Sequence, residues 1–459
     1  MGNIFAQSDD ELFGYASDDE LFGGFGGDDG FFFDDTIEEY TDVSAKTDLS
    51  KGNIFDNGSV KVGGSLSAGI ATMTTLYADD DKNFGDHIYD TEFAPSLSAM
   101  LSVDARPTEV LRMYTKFGFA YPFNSTAIST AQTTSKLLLA PDGKSGTVTS
   151  KTNVNTKITD YLKLKEIFTD FSIADTAFFR FGIHTVTWGT GYFYSPVSDM
   201  INTSSINPED PTAQVDGSLN LRTQIIFPGT QNCLWLYVIT STAFTQGTSS
   251  YLRDTSLAAK ADIMINNIEL GVGAFWKYQS APKLMLTGTG SLKKVTFFGE
   301  AVYQYGAASE WEKNTKWDNK KSIIQATFGL SYYWKDPAIT LAAQVYYDGN
   351  DVDLEHKYLT YGHNIAAMVN FGKILGNTDF SASIFAMANI GKDELPPVLK
   401  TMLGDASSFI NAFTGSAMLN YNGLSNMSFG LGPYITWSDF DEPPVVSLKL
   451  SATLGGGRF

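Results

Sequence analysis

Cysteine is nearly absent from this chain. A single residue, Cys233, among 459 excludes an intrachain disulfide, a cysteine zinc site and a cysteine-ligated cluster. Histidine is scarce too: His87, His184, His356 and His363 lie far apart in sequence and leave little for a histidine-based metal centre. Charged residues make up only 18 %, against about a quarter in ordinary soluble domains, which speaks against a soluble helical protein. Positive charge is the scarcer sign: 32 Lys and Arg face 51 Asp and Glu, a net charge of −19. A nucleic-acid binder needs the opposite balance. No run of about 18 apolar residues occurs, which excludes a transmembrane helix on length.

Aromatic residues and glycine are abundant instead, with 33 Phe, 22 Tyr, 7 Trp and 42 Gly. A mean hydropathy of −0.10 fits strands that alternate polar and apolar positions, because the two faces cancel in the average.

Charge is distributed unevenly. Residues 1–50 hold 14 acidic side chains and one basic one, Lys46, a local balance of −13 against −6 for the remaining 409 residues. Ser8-Asp9-Asp10-Glu11-Leu12-Phe13-Gly14 recurs unchanged at Ser17-Asp18-Asp19-Glu20-Leu21-Phe22-Gly23. Like charges this dense resist compaction, so residues 1–50 read as a disordered acidic tail. A perfect repeat exceeds what solubility requires. Leu12, Phe13, Leu21 and Phe22 read as anchors for a periplasmic partner, with the acids steering the encounter. At the start, Asn3-Ile4-Phe5-Ala6-Gln7 reads as the end of a secretory signal peptide without its positive region and apolar core, so a processed start is expected.

From about Ser59 the period becomes two. Leu111, Met113, Phe117 and Phe119 oppose Arg112, Tyr114 and Lys116. Ile324, Ala326, Phe328, Leu330 and Tyr332 oppose Gln325, Thr327 and Ser331, and Val446, Leu448, Leu450, Ala452 and Leu454 oppose Ser447, Lys449, Ser451 and Thr453. A helix would smear these faces. Short connections such as 228–231 and 335–338 alternate with long ones, roughly 79–91, 123–155, 188–216, 307–320, 348–360 and 390–411. The pattern predicts about 18 strands between Ser59 and Leu454, or 16 if the weak segments 257–265 and 283–291 fail. Strands of ten or more residues with an even count, short turns at one end and long loops at the other describe an all-β transmembrane antiparallel barrel over residues 51–459. No repeat of a propeller's length occurs. Tyr77, Trp276, Tyr278, Tyr332, Tyr333, Trp334, Tyr434 and Trp437 read as interfacial girdles.

The strand pattern, the loop rhythm and the final Phe459 resemble outer-membrane porins and related passive transporters of double-membraned bacteria. The acidic repeat and Trp188–Pro196 are similar to barrel proteins of spirochaetes. The resemblance implies both termini in the periplasm, an environment of outer-membrane lipid, and a C-terminal aromatic, Phe459, read by the barrel-assembly machinery. One departure stands out: the alternate positions behind Phe459 are Gly457, Gly455, Thr453 and Ser451 rather than apolar, so Gly455–Gly457 is expected to hold a register-restoring bulge. The resemblance also implies that the third external loop narrows the pore.

That loop, 188–216, carries Trp188, Gly191 and Tyr192 and then Asp199, Glu209, Asp210 and Asp216. The polar face of the strands flanking it places Arg112, Lys116, Lys163, Lys165, Arg180, His184 and Arg222 on one arc with few acids between. A basic ladder facing an acidic loop would set a transverse field favouring anionic or zwitterionic solutes. Enzymatic readings are weak: His184 lies on the lumen parity at mid-barrel rather than near the mouth and shows no evident partner, and His356 and His363 flank an acidic loop that reads as solvated. No cofactor and no catalytic residue are expected. A structural anchor and a fatty-acid-transporter-like barrel remain as rivals, distinguished by whether a water-filled pore exists.

Overall fold

The computed structural model describes residues 55–56, 59–78, 82–91, 93–122, 162–174, 176–202, 206–209, 211, 217–240, 252–306, 310–311, 320–349, 362–390, 412–424, 426–437 and 443–458. Residues 1–50 and Phe459, with the repeated motif and the assembly-signal expectation, lie outside them.

Period-two patterning resolves into eighteen strands. They are β1 (Val60–Tyr77), β2 (Phe93–Thr108), β3 (Leu111–Pro122), β4 (Leu162–Ile173), β5 (Ala177–His184) and β6 (Ser218–Ile226). Then come β7 (Cys233–Ile239), β8 (Ser256–Ile265), β9 (Ile268–Lys277), β10 (Lys283–Leu292), β11 (Val295–Tyr305) and β12 (Ser322–Trp334). The last six are β13 (Ile339–Asp348), β14 (Gly362–Phe371), β15 (Phe380–Ile390), β16 (Ala412–Leu424), β17 (Met427–Trp437) and β18 (Val445–Arg458). The two doubtful segments are therefore genuine strands, β8 and β10. Each strand pairs antiparallel with its sequence neighbour, and β18 closes on β1. Closure leaves no free edge, which is what allows strands rather than helices to cross hydrocarbon.

The outer face is apolar. Leu66 on β1, Phe181 on β5, Val272 on β9, Phe328 on β12, Leu419 on β16 and Leu450 on β18 are all exposed outward. Asp170, Arg180, Asn220, Glu300 and Gln344, on the opposite parity, are buried inside. An apolar exterior around a polar interior inverts the soluble pattern and requires a lipid surround. Trp276, Tyr278, Trp334 and Tyr77 are about half exposed at strand ends, as girdle residues should be. Tyr434 is not one of them. Its hydroxyl donates to Glu209 Oε1 at 3.1 Å, so it points into the lumen.

Among the register shifts of the described strands, two bear on the expected alternation. At the C-terminus the β18–β1 register shifts between Thr453 and Gly455, one residue ahead of the expected glycine run, and puts Gly457 opposite Leu66. In β4 the register with β3 shifts around Lys165, so that Lys116 pairs with Glu166 and Phe117 with Leu164. Beyond that bulge even-numbered residues, Glu166, Phe168 and Asp170, turn inward and are buried. Opposite Phe168 stands Gly182, with a φ of +146°. A Cβ there would run into the Ile167 carbonyl and Phe168. Gly182→Ala is expected to lower barrel stability by about 1–3 kcal/mol, read as a lower temperature for loss of the compact, heat-modifiable form.

The β1–β2 connection carries a single short helix, α1 (Phe84–Tyr89), capped by Asn83, whose side chain accepts from Asp86 N at 3.1 Å. Beside it Lys82 Nζ reaches Asp90 Oδ2 at 2.5 Å and holds that carboxyl below the usual carboxylate range.

Candidate functional site

The loop between β5 and β6 does not stay at the mouth. Its first half, Thr185–Asn202, crosses the lumen and packs on the wall from β7 to β15. One apolar cluster joins Val186, Trp188, Val197 and Ile201 to Tyr237, Met285 and Val302. A second joins Tyr192 and Phe193 to Phe298, Ala342, Met368 and Phe385. Trp188 meets Tyr237 edge-on at 4.7 Å between centroids, and Tyr194 stacks on Tyr346 at 5.3 Å. Burial holds the Tyr194 hydroxyl well above its ordinary range.

Apolar packing alone would leave the loop's amides without partners, a heavy cost inside a protein. Three wall side chains take them. Glu300 on β11, 4 % exposed, accepts from Gly191 N at 2.5 Å, Val197 N at 3.0 Å and the Ser195 hydroxyl at 2.9 Å. Its cross-strand neighbours are Thr287 and Thr327, both uncharged. Gln344 on β13 accepts from Tyr192, Phe193 and Tyr194 N at 3.0, 2.7 and 3.3 Å and donates to Tyr194 O at 2.7 Å. Lys260 on β8 donates to Trp188 O at 3.0 Å and pairs with Asp262 at 2.9 Å. Gly191 is needed for close approach, since a Cβ there would press on the Tyr194 carbonyl and the Glu300 carboxylate. Sequence reasoning missed Glu300, Gln344 and Lys260. Their only signal was a polar residue at inward parity in a wall strand.

The remaining members of the proposed constriction divide. Trp188 and Tyr192 face the wall as packing, while Asp199 is exposed on the loop. Asp199 and Asp348 are the carboxylates that act electrostatically on Lys283. Glu209 meets Tyr434. Asp210 and Asp216 lie outside the described residues.

Across the lumen, β3 to β6 carry the predicted cations, but not as a bare ladder. Arg112 Nε donates to Asp104 Oδ1 at 3.0 Å, and its Nη1 lies 3.6 Å from Asp170 Oδ2. Arg180 grips Asp170 with two bonds of 2.7 and 3.1 Å. Its guanidinium also lies 4.0 Å from the centre of the Phe168 ring. Lys116 is in register with Glu166. Arg222, in register with Arg180, has its guanidinium 5.5 Å from the Trp235 ring. Lys165 lies over Gly118 on the inner face, and Lys163 pairs with the same glycine. His184 is fully buried with neither ring nitrogen hydrogen-bonded. The expectation of few acids on this arc is therefore corrected: Asp104, Glu166 and Asp170 are interleaved with the cations. The β4 bulge hid two of them, because uniform alternation through Lys163 and Lys165 sends 166 and 170 outward. The arc nonetheless keeps an excess of cations. Arg106, Arg112, Lys116, Lys163, Lys165, Arg180 and Arg222 stand against Asp104, Glu166 and Asp170.

A closed eighteen-strand wall, lipid-facing outside and polar inside, with one connection folded into the lumen, decides the architecture. This is a closed, lipid-facing β-barrel with a loop folded into its lumen. No family model and no curated relative matches the chain. Solved structures do resemble it in fold. OccK9 (OpdG) of Pseudomonas aeruginosa aligns with a TM-score of 0.49 at 9 % identity, over 89 % of this chain and 100 % of that one. The outer membrane protein OpdK of the same organism gives 0.47 at 8 %, over 87 % and 99 %. OccAB4 of Acinetobacter baumannii gives 0.46 at 8 %, over 88 % and 100 %.

Proposed function

We propose that this barrel is a passive diffusion channel of a bacterial outer membrane for small hydrophilic solutes. The observation that carries the reading is the inserted loop. The contacts of Thr185–Asn202 lie on the β7–β15 wall and Glu209 beyond it meets Tyr434 on β17, so the route past the loop runs along the arc from β18 and β1 to β6. That route is bounded on one side by the cation-rich strands and on the other by the exposed Asp199. Such an arrangement turns solute dipoles across the pore and favours anionic or zwitterionic solutes. No step of chemistry is involved, and no residue is assigned to catalysis. The short-turn rim faces the periplasm in this reading, with the acidic tail on that side and Phe459 offered to the assembly machinery. The tail's Leu-Phe repeats lie on the periplasmic side in this reading.

Arg222, in register with Arg180 and beside the Trp235 ring on the lumen face, tests the field. Arg222→Glu is expected to move the reversal potential in a salt gradient toward cations with little change in barrel stability. An unchanged reversal potential would remove the cationic arc from the mechanism.

A further inference from the structure

The short-turn rim bears features that the diffusion path does not use. The β10–β11, β12–β13 and β14–β15 turns are consecutive around the barrel. Leu292 is 68 % exposed and is followed by exposed Lys293 and Lys294. Lys335 is exposed in the next turn. In the third, Leu375 is 102 % exposed, two residues after Lys373. Leu375 also holds a φ of +51° ahead of Gly376 at +81°, inside the Ile374–Asn377 bridge. Asparagine or glycine ordinarily fills that position of a tight hairpin. A fully exposed leucine in strained backbone points to a contact made by its side chain. Asp336 and Asp379 share these turns, which leaves the arc net positive.

The chain carries a segment of matching chemistry. Each copy of the amino-terminal repeat sets three carboxylates directly before a Leu-Phe pair. It is also tethered in the right place. Phe55 and Asp56 pair antiparallel with Val62 and Lys61, which places Phe55 beside the start of β1 at this rim. Phe22 precedes Phe55 by 33 residues, a flexible span averaging roughly 30 Å. The β14–β15 turn lies four to five strand spacings from β1, about 20–25 Å. Adjacent turns are about 10 Å apart, well within the reach of two motifs nine residues apart.

We propose that the duplicated Asp-Asp-Glu-Leu-Phe motif docks in cis on this arc. Lys293, Lys294, Lys335 and Lys373 meet its carboxylates, and Leu292 and Leu375 meet its Leu-Phe pairs. The tether supplies a high effective concentration, so individually weak contacts suffice.

Disulfide trapping in the full-length purified protein tests this. In a Cys233→Ser background, Gly14→Cys is combined with Asn377→Cys, or with Thr230→Cys in a turn about as far from β1 in the other direction. The intramolecular disulfide is expected about tenfold more readily with Asn377→Cys. It should fall to the control level when Lys293→Glu, Lys294→Glu and Leu375→Asn are added, or in about 1 M salt. Leu375→Asn suits the turn, so folding is preserved. Equal trapping at both positions would overturn the proposal, as would trapping indifferent to the three substitutions. Trapping in detergent but not in lipid nanodiscs would assign the leucine tips to the membrane surface and likewise overturn it.

Discussion

Glu300→Ala is expected to turn steady single-channel steps into higher, multi-level conductance. The carboxylate is the shared acceptor for Gly191 N, Val197 N and the Ser195 hydroxyl. Without it, two buried amides are left unpaired at about 1–3 kcal/mol each, while the apolar contacts of Phe193 and Trp188 stay in place. The loop then visits undocked states, and the narrowest section widens with each visit. Glu300→Gln keeps an acceptor but turns an amide donor toward a ring of donors, so an intermediate effect is expected. Gln344→Ala, which removes the acceptor for three further amides, should act in the same direction. Traces of Glu300→Ala that match the unaltered protein in step size and noise would show that apolar packing alone fixes the loop.

Arg180→Ala is expected to be among the most destabilising single changes in the wall. Asp170 is 2 % exposed and takes both of its short bonds from Arg180, with Arg112 farther away at 3.6 Å. Removing one partner of a buried pair leaves a charge with too little solvation, at about 3–5 kcal/mol. The readout is the temperature at which the folded, fast-migrating form is lost on heating. Arg222→Ala serves as the comparison and should cost well under half as much, since the cation–π contact with Trp235 is worth about 0.5–2 kcal/mol. Adding Asp170→Asn to Arg180→Ala should recover part of the loss, because the two groups act as a unit. Equal losses for Arg180→Ala and Arg222→Ala would show that Asp170 is solvated by other means.

The barrel was legible because a lipid surround imposes strict alternation. Phe328 and Leu330 outward with Thr327 and Ser331 inward could be assigned from spacing alone. The weak segments around Leu257 and Leu286 proved to be strands whose inward faces carry Lys260, Asp262 and Thr287. Alternation there is blurred because the inward faces also carry Ala258 and Met285, which pack in the cluster beneath the loop. Alternation fails where a residue is inserted, and no composition signal marks the Lys165 bulge. Glu166 and Asp170 therefore escaped notice, and the cations looked unaccompanied. The third loop's inward course was an implication of the resemblance to porins rather than of its own residues. The means of holding it was not legible, because a glutamate in β11 and a glutamine in β13 look like ordinary lumen residues. Only the fold brings Glu300 and Gln344 within hydrogen-bond reach of a segment more than a hundred residues earlier in the chain. Tyr434 misled for a related reason: its parity is inward, and its partner Glu209 lies 225 residues away.

Single-channel recording of the purified protein in a planar bilayer under a salt gradient tests the central claim most directly. A constricted, water-filled barrel with an excess of wall cations predicts stable stepwise openings and a reversal potential on the anion-selective side. Protein that runs as an intact heat-modifiable barrel yet gives no openings would contradict the account and show that the lumen is sealed.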